Sequence, residues 1–306
     1  MEEKNHKKEK FHFKGERTRS TLIIASSLIV YLLTLHFNLR IGYTLITALV
    51  SARGTYELIH VVGGKSKALF AVACSVSVLY TFSVGYHIAI PHFGIFVSFY
   101  ALLLLCMAVA LNQSIKYLDA VMALFGSVGL TYALSCAIRL NDLPYLGERF
   151  THLEGLYLFW LAFGCAWLTD VFAFLVGRKI GKHKMSPHIS PKKSWEGAVF
   201  GTLITLALNE GILFVYSLIA IKGMGYDYFI TQSNIKYVYL IPVSIVLSVV
   251  GMFGDLSASV LKRNVGVKDF SNLLPGHGGI LDRFDSCTFV LPTLYGIVVL
   301  FADHLV

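Results

Sequence analysis

Charge is what this sequence has least of. Only 14% of its 306 residues are Asp, Glu, Lys or Arg, 56% are hydrophobic, and the mean hydropathy is +0.66. Soluble domains carry roughly 25% charged residues, so an ordinary soluble domain, a disordered chain and a collagen-like chain are all excluded. The five cysteines, Cys74, Cys106, Cys136, Cys165 and Cys287, show no CxxC pair and no metal-ligand spacing, and each lies in an apolar stretch. They read as small packing residues rather than a disulfide framework or a zinc module. No internal repeat is visible, and nothing resembles a nucleic-acid-binding module. An obvious cleavage site is also missing after the first apolar run, near 20–38, so that run is expected to stay as the first helix.

What is present is a series of apolar windows long enough to cross about 30 Å at 1.5 Å per residue. They fall near 20–38, 41–62, 68–86, 93–111, 118–138, 155–177, 198–221, 237–257 and 286–304. The second is the weakest, because Arg53 and Glu57 sit in its last third. The fold expected is all-α, a polytopic integral membrane protein of about nine transmembrane helices. Its segments would be a basic cytoplasmic tail at 1–19, about five helices within 20–150, and a C-terminal membrane region at 151–306 with two cytoplasmic polar loops.

Lys and Arg accumulate on the cytoplasmic side of membrane proteins, which tests the parity of the spans. With nine spans and the N-terminus in the cytoplasm, all of the 26 basic residues except Arg40, Arg139, Arg149, Lys222 and Lys236 fall on that side. The net charge of +8 is therefore read as a topology signal and not as a nucleic-acid footprint.

The unusual polar chemistry is confined to two stretches. The first runs from Asp170 through Gly177-Arg178-Lys179-Ile180-Gly181-Lys182-His183-Lys184 to Ser190-Pro191-Lys192-Lys193-Ser194-Trp195-Glu196-Gly197. One reading is a positive anchor touching anionic lipid headgroups. The sharper reading is phosphate binding: Gly177 and Gly181 let backbone approach a ligand, and Ser190-Pro191 stops the chain before a new helix. A polyanion there would meet free amides and the side chains of Lys192 and Lys193. Asp170, deep in the sixth window, is costly in hydrocarbon unless it faces a wet cavity.

In the second stretch, Gly251, Asp255, Ser259 and Lys262 fall at i, i+4, i+8 and i+11, one polar stripe on a helix leaving the eighth window. Pro275-Gly276-His277-Gly278-Gly279 favours a tight backbone bend. Asp282 and Asp285 then open the last window, three residues apart. Capping of a helix N-terminus explains acids there, and best explains Asp285. The alternative is that carboxylates among cations hold a hard cation that also touches phosphate, as Mg²⁺ does with one or two protein carboxylates. Asp170, Asp255, Asp282 and Asp285 are the metal candidates. Glu210 is a further intramembrane acid, which Asn209 can satisfy.

Residues 259–285, S-V-L-K-R-N-V-G-V-K-D-F-S-N-L-L-P-G-H-G-G-I-L-D-R-F-D, resemble the signature of the phosphatidate cytidylyltransferases, or CDP-diacylglycerol synthases. The 177–197 stretch is similar to that family's second shared region, ending S-P-x-K-[ST]-x-x-G. The chain departs from the family pattern at Val171 and Phe174, where relatives show a hydroxyl residue and Tyr, and Thr169 is the neighbouring hydroxyl offered in compensation. The resemblance implies transfer of a cytidylyl group from CTP to phosphatidic acid with Mg²⁺. It further implies a two-cation centre with K⁺ as second ion, a homodimer among membrane lipids, and a site opening to the cytoplasm of a bacterial inner membrane.

The residues suit that reaction. A phosphomonoester has its second pKa near ~6, so the nucleophile is already an anion and the difficulty is repulsion between anions. Asp255, Asp282, Lys262 and Arg263 are the catalytic candidates. Lys192, Lys193, Ser259, Lys268, His277, Gly278, Gly279 and Arg283 are the substrate-binding candidates. A CTP-dependent polyprenol kinase and, less well, an anion transporter are the rival readings; the polar residues gather at one interface rather than at the midplane, which disfavours transport.

Overall fold

The computed structural model describes residues 2–90, 92–143, 150, 152–221 and 239–305, without the side chains of 2–17, 153, 212–221 and 302–305. Arg149, Lys222 and Lys236, used in the charge count above, lie outside the described residues. Helices dominate: α1 (Glu2–His36), α2 (Arg40–Val61), α3 (Lys67–Gly85), α4 (Phe93–Ala110), α5 (Tyr117–Leu124), α6 (Thr131–Asn141), α7 (His152–Phe163), α8 (Thr169–Ile180), α9 (Trp195–Ile221), α10 (Leu240–Asn264), α11 (Leu281–Phe284) and α12 (Cys287–Leu305). π-helical turns join α5 to α6 (Phe125–Leu130) and α7 to α8 (Gly164–Leu168). Among the described residues, six helical stretches are long and apolar enough to cross a membrane. Phe99, Leu79 and Val109 are about 70% exposed or more. Such an outward apolar surface suits hydrocarbon and not water, and the protein is all-α and of the membrane type.

Two differences from expectation concern helix starts. The charged residues from Glu2 onward are continuous with α1 instead of preceding it. Ser190-Pro191 does not stop the chain before a helix: β1 (Lys184–Ser186) pairs antiparallel with β2 (Ser190–Ser194), and α9 starts at Trp195. Ser194 supplies the cap, its Oγ accepting from the Gly197 N–H at 3.2 Å, and Trp195 N–H closes the hairpin on the His183 carbonyl at 3.0 Å.

The chain forms two compact units, Met1–Tyr132 with Asn264–Phe284, and Ala133–Arg263 with Asp285–Val306. In the first, Asp119 starts α5 by accepting from the Lys116 N–H at 2.9 Å. Ile59, Leu69, Ala73, Tyr100 and Leu104 are part of one buried cluster. Buried hydroxyls of this unit pair with each other, Thr55 with Ser77 and Tyr100 with Ser127, both at 2.9 Å, because an apolar interior offers no water.

In the second unit α8 packs along α9 through small residues. A Cβ on Gly201 would come within 2.7 Å of the Ala173 nitrogen, and one on Gly177 within 2.7 Å of Ser194 Oγ. Gly177 and Gly181 thus permit helix and hairpin to approach. All five cysteines are free thiols, and Cys136, Cys165 and Cys287 are fully buried, in keeping with packing roles.

Candidate active site

The second unit gathers acids from three elements. Strand period sends Lys192 and Lys193 to opposite faces; Lys192 is exposed, while Lys193 is only 18% exposed and reaches inward. Its Nζ lies 2.5 Å from Asp255 Oδ2 on α10 and 3.8 Å from Asp170 Oδ1 on α8. Asp285, just ahead of α12, interacts electrostatically with Asp255, Asp170 and Lys262. Burial, and after it the Asp255 carboxylate, pushes Asp285 up above the usual carboxylate range against the pull of Lys262. Lys262 is itself buried at 8% exposure. Three acids and two ammonium groups are interleaved here, and the expected stripe from Gly251 to Lys262 lies on one continuous helix.

Asp170, the second residue of α8, is placed by the π-helical turn that ends at Leu168, whose extra residue per turn rephases the helix. Ser286 Oγ donates to its Oδ2 at 2.8 Å. Thr169 does not compensate for the hydroxyls missing at Val171 and Phe174, because its Oγ1 is bonded to Ser248 at 3.0 Å and Thr205 at 3.3 Å. Ser286 is the hydroxyl that serves Asp170, and only the fold identifies it. Nor does Asn209 satisfy Glu210: its Nδ2 donates to Cys165 Sγ at 3.4 Å, and Glu210 Oε1 has no hydrogen-bond partner among the described residues.

Among the described residues, no three acidic, His or Cys side chains form a metal cage of their own. The pair Asp170 and Asp255 nonetheless fits a hard cation. Both reach one ammonium, and the buried Asp170 Oδ1 has no hydrogen-bond partner among the described residues. Two carboxylates with the remaining sites left to phosphate and water is the donor set Mg²⁺ favours.

The first unit holds the glycine bend. Gly276 and Gly278 have φ of +74° and +79°, and Leu274 bridges Gly278, its N–H donating to the Gly278 carbonyl at 2.9 Å. Asp282 Oδ2 accepts from the N–H groups of Phe270 and Gly279, both at 2.8 Å. His277 Nε2 lies 3.4 Å from Thr21 Oγ1 of α1. Lys268 and Arg283 are exposed in this unit, as are Arg263 and the hairpin's Lys192 in the other. Ser259 is half-buried on α10.

Glu57, noted in the sequence only as a charge weakening a span, is fully buried against this bend. Its carboxylate accepts from Arg53 Nε at 3.2 Å, Ser271 Oγ at 2.7 Å, and the N–H groups of Ile280 at 3.1 Å and Leu281 at 2.9 Å. A charged residue inside an apolar window is the signal that could have found it.

Comparison with known proteins adds an independent line. The model of the cytidylyltransferase family matches residues 16–301. A phosphatidate cytidylyltransferase of Bacillus subtilis is 42% identical over 153 residues, covering 49% of this chain and 51% of that protein. Proteins of the same name from Staphylococcus haemolyticus and Staphylococcus aureus are 40% and 41% identical over 166 residues, covering 53% of this chain and 58% of each. The matched stretches span about half the length of these curated relatives.

Proposed function

The chain belongs to the cytidylyltransferase family, and from that premise we propose that it transfers the cytidylyl group of CTP to phosphatidic acid, yielding CDP-diacylglycerol and pyrophosphate. A phosphate oxygen of phosphatidic acid attacks the α-phosphorus of CTP, and the bond from that phosphorus to the β-phosphate bridging oxygen breaks. No base is needed to strip a proton from a nucleophile already ionised at neutral pH. The chain's task is to bring two anions together.

The observation that carries the reading is the interleaving of Asp170, Asp255 and Asp285 with Lys193 and Lys262 in one unit. Mg²⁺ held by Asp170 and Asp255, with Asp285 in support, would supply charge neutralisation at the triphosphate. Lys193, drawn inward by those acids, and Lys262, within electrostatic reach of Asp285, supply further positive charge for substrate phosphates. Lys192 and Arg263, exposed in the same unit, extend that positive surface outward. Nine spans with a cytoplasmic N-terminus set these groups on the side where CTP is found, a topology supported by the charge distribution and by the mainly helical state of the described part of each expected window.

The experiment is to incubate the full chain in detergent with phosphatidic acid, Mg²⁺ and CTP labelled at the α-phosphorus or, separately, at the γ-phosphorus. Label passing to lipid from the α position alone supports cytidylyl transfer. Label from the γ position would mean a lipid kinase, and none from either refutes the proposal. Asp255→Asn is expected to abolish the transfer.

A further inference from the structure

A buried carboxylate in an apolar helix must be matched by donors or it is expelled or neutralised. Glu57 has 0% exposure and four donors, three of them supplied by the loop between Ser271 and Leu281, more than 200 residues along the chain. The fourth, Arg53, comes from one turn earlier on α2. The match is made to the bend and not merely to local backbone.

The two consecutive glycines of the bend are accounted for by two carboxylates. A Cβ on Gly279 would stand 2.5 Å from Glu57 Oε2, and one on Gly278 would stand 2.8 Å from Asp282 Oδ2. Neither position admits a side chain while its acid is in place. Asp282 also fastens the bend through the Phe270 and Gly279 amides. Glu57 fastens the adjoining Ile280 and Leu281 amides, which set the direction in which Asp282 and Arg283 leave.

We propose that Glu57 is a positioning residue for cytidylyl transfer, acting through the bend at 275–281, whose His277, Gly278 and Gly279 are the substrate-binding candidates of the sequence, by holding the Ile280 and Leu281 amides over its carboxylate. The inference rests on the activity proposed above. Replacing the carboxylate by an amide sets an N–H₂ against one of four donors. The bend then loses a partner at constant side-chain volume. Glu57→Asp keeps the charge but draws it back, which makes room at Gly279.

The test uses the full chain in detergent and two independent readouts. The first does not depend on activity: hydrogen exchange of peptides spanning 270–284, compared between wild type and Glu57→Gln. Faster exchange confined to that stretch is expected, with α3 unchanged. The second is steady-state kinetics, where Glu57→Gln is expected to lower kcat roughly 100-fold while the KM for CTP stays within about threefold. Gly279→Ala alone is expected to be as severe. Combined with Glu57→Asp it should be less severe than the product of the two single effects, because the retracted carboxylate vacates the space the methyl needs. Unchanged exchange in the bend, unchanged kcat in Glu57→Gln, or strictly multiplicative effects in the double variant would each overturn the proposal. A wild type that transfers no CMP would refute the activity instead, and the exchange measurement would still decide whether Glu57 holds the bend.

Discussion

Lys193→Met should tighten the binding of a divalent cation while lowering activity, and the opposite signs make the substitution informative. Methionine keeps the length and apolar stem of the side chain and removes only the ammonium group. In the wild type that group stands 2.5 Å from Asp255 and 3.8 Å from Asp170, at 18% exposure against 25% and 32% for the two acids. Removing one partner of a fully buried pair costs about 3–5 kcal/mol, and partial solvation here brings the figure down to about 2 kcal/mol. The orphaned carboxylates recover that energy from an arriving cation. Mn²⁺ or Mg²⁺ should thus bind roughly 30-fold more tightly to Lys193→Met than to wild type in the absence of nucleotide. Isothermal titration calorimetry on the purified protein, without CTP, measures it. Transfer from CTP should fall, because an ammonium that helps neutralise phosphate is gone. Equal or weaker cation binding in the variant would refute the idea that Lys193 and the metal share the same two acids.

Two further expectations follow from packing and from charge. Gly201→Ala forces a methyl to 2.7 Å from the Ala173 backbone nitrogen and should destabilise the protein by about 1–3 kcal/mol, whereas Gly211→Ala meets nothing within 4 Å among the described residues and should leave thermal unfolding in detergent unchanged. Glu196 accepts from the His183 N–H and its Nδ1, and its own helical amide and the His183 ring hold the carboxyl down at about 2. A depressed acid contributes stability above its unfolded value near 4.5 and loses it as pH falls through 2. Protection of the His183 amide, corrected for intrinsic exchange rate, should stay level from pH 7 to about 4 and decline only below that; a decline centred near pH 6 would assign the clasp to the histidine instead.

The elements legible in the sequence are those whose signal is local. The described part of each of the nine apolar windows falls mainly on helix, because a run of about twenty apolar residues carries its own instruction. The stripe Gly251, Asp255, Ser259 and Lys262 is legible for the same reason, and α10, which carries it, runs seven residues past the expected end at 257. The hairpin was not legible: strands of three and five residues, rich in lysine and containing Pro191, have too short an alternation to register. Asp170 could be flagged as an acid in a span, yet its hydroxyl partner, Ser286, lies 116 residues away. Glu57 shows the limit most clearly. Its partners Ser271, Ile280 and Leu281 are 214 to 224 residues distant, so within its own helix it reads as a defect in a span.

The two units also treat their acids differently, and the difference bears on where a metal can be exchanged. In the first unit Glu57 and Asp282 are matched largely by backbone N–H groups, which belong to a bend of fixed φ and cannot withdraw without unfolding it. In the second, Asp170 and Asp255 are matched by the ammonium of Lys193, on a four-carbon stem that can swing away. Cations that must come and go with each turnover are better served by the second arrangement, since an ammonium can trade places with a metal at small structural cost. Asp255→Asn should therefore weaken Mn²⁺ binding in calorimetry and leave exchange at 270–284 as in wild type. Asp282→Asn should loosen that bend and leave cation affinity within about threefold. A large loss of cation affinity in Asp282→Asn with an intact bend would show that Asp282 is a ligand, as the sequence pattern led us to expect, and that its amide contacts are secondary.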